Sequence, residues 1–184
     1  LVESMLAMAI LGIAGAALLI GTASNSEATR DALERTIALG MAQQLLDEIL
    51  GMRYCEAGIS PTDPSLRANA SEIAAGARKQ FDDIDDYNGV RTTPPTDRDG
   101  RTLGTHDGRG GTRYLAFQVP PDYFTGWKQN VDVQYVSETN FATPLSSGVS
   151  HYRRIRVWIT VDQADGRTRT LAELTRVVAN VPGT

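Results

Sequence analysis

The sequence predicts an α+β fold: a long N-terminal α-helix, apolar in its first half and amphipathic in its second, packed on a mainly antiparallel sheet of about four strands. Three observations carry that expectation. No charged residue lies between Glu3 and Glu27, and most of the side chains in that interval are apolar. From Glu27 onward, apolar side chains recur at steps of three and four, the spacing of one helix face. After Gly111 the composition turns to β-branched and aromatic residues, with alternation near the C-terminal end. A chain of 184 residues supports one domain plus an appendage. The organisation reads as an apolar half-helix over 1–26, an amphipathic half-helix over 27–53, a variable loop region over 54–111 and a sheet over 112–184.

The first element is the most constrained. Made helical at about 1.5 Å per residue, the stretch from Met5 to Ile20 and its neighbours approaches the ~30 Å hydrocarbon thickness of a bilayer. A cleavable secretory signal would put a basic region ahead of a shorter apolar run, whereas the first basic residue here is Arg30. An ordinary membrane anchor leaves unexplained a carboxylate on the third residue, where a charge in lipid is costly. A helix apolar on every side must be covered on every side, and the rest of the chain is too short and too polar to do that. Ala7, Ala9, Gly12, Ala14, Gly15, Ala16, Ala17 and Gly21 keep the helix thin, and Gly12 with Ala16 forms a small-x-x-x-small pair suited to close helix approach. No proline occurs before Pro61, so only glycines offer points of loosening.

Leu1-Val2-Glu3-Ser4-Met5-Leu6-Ala7-Met8-Ala9-Ile10-Leu11-Gly12 resembles the start of mature type IV pilins and of the pseudopilins of type II secretion. That family opens with Phe-Thr-Leu-(Ile/Val)-Glu and an apolar helix; here the sequence opens at Leu1, without the Phe-Thr pair. The resemblance covers about the first twenty residues, and beyond them only the architecture is comparable. It implies a structural subunit, polymerised through its N-terminal helix into an extracellular filament on the cell surface, with an unassembled pool in the inner membrane. A minor pilin or a secretion pseudopilin carries the same helix. Implied partners are further copies of this chain, a prepilin peptidase that cleaves and usually N-methylates the subunit, and the pilus assembly machinery. The assembly residues are then Leu1, Val2, Glu3, Met5, Leu6, Gly12 and Ala16. A lone carboxylate in lipid is stabilised by meeting a cation, and a neighbour's N-terminal ammonium is the one the resemblance implies for Glu3. A more distant alternative is a membrane-anchored binding domain that never polymerises.

Leu33, Ile37, Met41, Leu45, Ile49 and Met52 extend the helix to about residue 53 as a stripe beneath a head domain. Residues 54–111 are rich in Gly, Pro, Asp, Arg, Ser and Thr, with a short helix expected over 70–81. The pilin-like architecture places its variable loop here, and 92–111 would be disordered in isolation. Strands are expected over 113–119, 130–136, 152–161 and 168–178. Ile155, Val157, Ile159 and Val161 alternate with Arg154, Arg156, Trp158 and Thr160, and Ala164-Asp165-Gly166 supplies a hairpin turn.

Asp82, Asp83, Asp85 and Asp86 form the sharpest polar cluster. Four carboxylates in five positions repel, and a hard cation such as calcium would relieve them, with Asp97, Asp99 and Asp107 as further candidates. The spacing is not that of an EF-hand, and the competing expectation is a hydrated, arginine-paired turn without a cofactor. An enzyme is not expected: His106 and His151 are the only histidines and neither has a metal-ligand spacing, while no nucleophile elbow or phosphate-cradling loop occurs. Gly108, Gly110 and Gly111 read as loop flexibility. The single cysteine, Cys55, rules out an intrachain disulfide and is expected to be a buried thiol. With 18 basic against 22 acidic residues and no basic run, nucleic acid is a poor partner. The twelve aromatic residues all lie from Tyr54 onward, so the apolar helix offers no stacked electron path.

Overall fold

The computed structural model describes residues 2–107, 109–120, 122–163 and 165–181. Its elements are α1 (Val2–Leu50), α2 (Ala70–Ala74), β1 (Arg91–Thr92), β2 (Trp127–Tyr135), β3 (Tyr152–Asp162) and β4 (Thr168–Ala179), with short 3-10 turns at Arg78–Gln80, Asp85–Tyr87 and Leu115–Phe117. The chain divides into two units, residues 1–37 and residues 38–184.

In the first unit the backbone is helical from Val2, and every side chain up to Arg30 is exposed. Ala, Leu, Met and Ile dominate it, and no proline interrupts the i to i−4 ladder. A Cβ added at Gly12, Gly15 or Gly21 would meet nothing within 4 Å.

In the second unit, α1 ends at Leu50, where Gly51 donates to the Asp47 carbonyl at 3.1 Å and Met52 to the Ile49 carbonyl at 3.0 Å. The long helix packs on a four-stranded antiparallel sheet of order β1-β2-β3-β4, as the sequence predicts. The buried helix face is Ala38, Met41, Ala42, Leu45, Leu46 and Ile49. Val131 and Val133 of β2 stand opposite Val157 and Ile155 of β3, and all four are at most 1% exposed. Arg154, Arg156 and Trp158 point to the other, partly solvated face, where the Arg91 and Arg156 guanidinium groups lie 4.7 and 4.6 Å from the centre of the Trp158 ring.

Several expectations need correction. Leu33 is 56% exposed and Ile37 is not buried, so the covered stripe starts later and runs through two alanines. Small side chains let a sheet come close, which a count of large apolar residues overlooks. The helix expected over 70–81 stops at Ala74, because Gly76 takes φ +66 and turns the chain before a separate 3-10 turn forms. No strand forms over 113–119; Leu115–Phe117 is a 3-10 turn and Tyr114, Leu115 and Phe117 are exposed. The β2 edge is already occupied by Arg91 and Thr92, paired with Asn130 and Gln129, so the fourth strand comes from the stretch read as loop. Of the β3–β4 turn, Ala164 lies outside the described residues; Gly166 takes φ +79 and donates to the Gln163 carbonyl at 3.0 Å.

Candidate functional site

Two groups of residues qualify, one on each unit. On the first, Leu1 lies outside the described residues. Val2, Met5 and Leu6 are 81, 66 and 62% exposed, and Glu3 sits in the first helical turn with its side chain in the open. At 3.6 residues per turn, Met5, Gly12 and Ala16 share one side of the helix, while Glu3 shares another with Ala7, Ala14 and Ala17. The large apolar side chains continue through Met8, Ile10, Leu11, Ile13, Leu18, Leu19 and Ile20, all at least 59% exposed. The helix is long and apolar enough to cross a membrane.

On the second unit the four aspartates do not converge on one point. Asp82 pairs with Arg53 at the end of the helix. Asp83 turns its Oδ1 back to accept the N–H groups of Asp85 (2.7 Å) and Asp86 (3.3 Å). Asp86 likewise accepts from Asp82 (2.9 Å) and Asp83 (3.2 Å). Asp85 lies 2.8 Å from Arg153, a contact outside hydrogen-bonding directions and therefore mainly coulombic. Burial pushes the Asp83 carboxyl up to about 6, helped by the charge on Asp86. Burial also pushes Asp85 up to about 7 against the pull of Arg153. The carboxyl oxygens that do come together belong to Glu72, Asp82 and Asp86, within 4.8 Å of one another, so a hard cation would have to draw on this trio rather than on the four aspartates. The backbone N–H groups and Arg153 account for much of what repulsion alone was expected to leave unsatisfied.

Arg153 organises this side of the unit. It is 0% exposed and donates to the carbonyls of Tyr54 and Pro61 (3.2 Å for the latter) and to the Tyr135 hydroxyl at 3.3 Å. Its guanidinium stacks 4.1 Å from the centre of the Tyr54 ring. Tyr54 in turn has its phenol pushed up to about 12, mainly by burial. A second buried pair, Arg78 with Glu48 at 3.0 Å, receives the Tyr87 hydroxyl on the same carboxylate at 2.9 Å. Cys55 is half-buried, its thiol held above its usual range by burial.

Sequence reading missed Glu72 and Arg153, although both left a signal. Asn69 and Glu72 stand in capping-box spacing, and the structure forms that box at the start of α2. Arg153 is in phase with Ile155, Val157 and Ile159, so period two assigns it to the apolar face, where an arginine must find acceptors. Compared with known proteins, the chain matches no family model, no curated protein and no solved structure.

Proposed function

We propose that the chain is the structural subunit of a type IV pilin-like extracellular filament, polymerised through residues 1–26. The supporting observation is the apolar helix of the first unit, whose large side chains are uncovered within one copy. Removing a Leu, Ile or Met side chain from water is worth about 1.5–3 kcal/mol, so an exposed array of this size requires an apolar environment. Lipid provides one before assembly and the helices of other copies provide another afterwards. Passing from lipid to a helix bundle exchanges one apolar neighbour for another, so hydrophobicity alone does not drive that step. Close packing at Gly12 and Ala16 and a charge contact at Glu3 then select the register, while assembly machinery does the work of extraction.

Glu3→Ala tests the reading. The variant should stay in the membrane with an intact second unit, while sheared filaments counted by electron microscopy fall about tenfold or more, equivalent to ~1.4 kcal/mol per contact. Wild-type filament number and length would sink the register role. Glu3→Asp, one methylene shorter, should give an intermediate yield.

A further inference from the structure

A cavity of about 240 Å³ lies in the second unit, between the 102–105 and 119–125 stretches. Backbone bonds set both walls. Val119 donates to the Gly104 carbonyl at 3.2 Å and Leu103 to that of Pro95 at 2.9 Å, while Tyr123 and Thr125 donate to Pro120 (3.2 Å) and Asp122 (3.1 Å). Gly104 takes φ +95, and a Cβ there would clash with Val119 and come within 3.0 Å of Phe124, so glycine is what lets the walls approach this closely. The space is therefore formed before any ligand arrives.

Its lining is mixed. Tyr123 contributes a half-buried ring, and Leu103, Val119 and Pro120 add apolar surface. The polar groups are the Asp122 carboxylate and the hydroxyls of Thr102, Thr105 and Thr125. Asp122, Thr102 and Thr125 have no side-chain partner among the described residues, and the Thr105 hydroxyl reaches the Thr102 carbonyl only at 3.5 Å. Asp122 is also the one described non-glycine residue with a left-handed φ, +64, a costly conformation of the kind that collects at binding sites.

No lysine, arginine or histidine lines the cavity, so an anionic ligand finds no counter-charge. A quaternary ammonium needs several ring faces around it, whereas Phe124 is 5% exposed and engaged edge-on with Tyr123 and Trp127, at 5.0 and 5.2 Å between ring centres. One available ring, an acceptor carboxylate and hydroxyls that donate or accept match a ligand with an apolar C–H face and a rim of hydroxyl groups. We propose that this cavity binds one neutral sugar ring, its C–H face against Tyr123 and its hydroxyls on Asp122, Thr102 and Thr125. The site belongs to the second unit alone and is independent of filament assembly.

Trp127 is 3% exposed and its ring centre lies 5.9 Å from that of Tyr123, so its fluorescence should respond to occupancy through Tyr123. The full chain, in micelles of a detergent that carries neither sugar nor choline, is titrated with the methyl glycosides of glucose, galactose, mannose and N-acetylglucosamine. At least one should give a saturable change with a dissociation constant of about 1–10 mM, as befits a single small ring. Thr125→Val, a change of similar volume at an exposed position, should weaken binding about fivefold, and Thr125→Ser should restore it. Tyr123→Phe should keep binding and Tyr123→Leu should lose it. Absence of saturation with all four glycosides, equal affinity in Thr125→Val and wild type, or saturation by choline chloride at a lower concentration than by any glycoside would overturn the assignment. Should Tyr123→Leu fail to fold, saturation-transfer NMR on wild type decides: the glycoside's ring C–H protons must receive more saturation than its O-methyl protons, and the reverse order would also overturn the site.

Discussion

Between Val2 and Ile20 the helix carries large apolar side chains on all its sides and none is covered; between Ala38 and Ile49 it carries six apolar residues on one side and all are buried. Composition differs less than arrangement does. An all-round apolar surface requires partners from outside the copy, because the rest of one chain cannot encircle it. A one-sided stripe needs only one sheet, and β2 and β3 supply it. Consequently the same regular secondary structure leaves its apolar surface open in the first unit and buries it in the second.

The strongest attempt to break this contrast is deletion of residues 1–26. The truncated protein should be a soluble monomer by light scattering with its tryptophan environment unchanged, and no filament should form. Aggregation or unfolding in mild buffer would mean that the second unit depends on the apolar helix. A smaller effect is expected from Arg153→Ala, which strands Asp85, leaves the Tyr54 carbonyl without its donor and leaves the Pro61 carbonyl with the Tyr135 hydroxyl alone. Loss of one member of a buried pair costs about 3–5 kcal/mol. Denaturant titration of the full chain should show that loss at pH 8 and part of it recovered at pH 5, where Asp85, with its carboxyl near 7, becomes neutral. An equal loss at both pH values would make the arginine a packing residue rather than a charge partner. The smallest effects sharpen the contrast directly. Leu45→Ala should cost about 2–5 kcal/mol, since Leu45 is 1% exposed, while Leu11→Ala, at 72% exposure, should leave the unfolding midpoint of the second unit unchanged. Comparable shifts in the two variants would erase the distinction.

The long helix and three of the four strands were legible because each is governed by a short-range period. Ile155, Val157 and Ile159 advertise one apolar face, and the four-residue steps from Met41 to Ile49 advertise another. Residues 113–119 misled for the same reason: local alternation states a preference, and here the chain forms a 3-10 turn at Leu115–Phe117 while Arg91 and Thr92 pair with β2. The acidic turn was located correctly, yet its organisation was not. Backbone N–H groups that accept no other role, and a glutamate ten residues earlier than the first aspartate, decide how those carboxylates are satisfied. Such pairings cross elements and leave no period in the sequence. The proposed assembly residues, by contrast, are a reading of the sequence alone, since all those described are exposed and a single copy shows no partner for them.

Arg153 reaches backwards in the chain to Tyr54, Pro61 and Asp85 and sideways to Tyr135 on the neighbouring strand. Together with the β1–β2 pairing and the buried helix face, it joins what comes before residue 98 to what comes after residue 126. A protease that nicks the exposed stretch near Arg109 would therefore generate two fragments that remain docked. The cut chain would migrate as two bands on a denaturing gel and as one particle in native buffer.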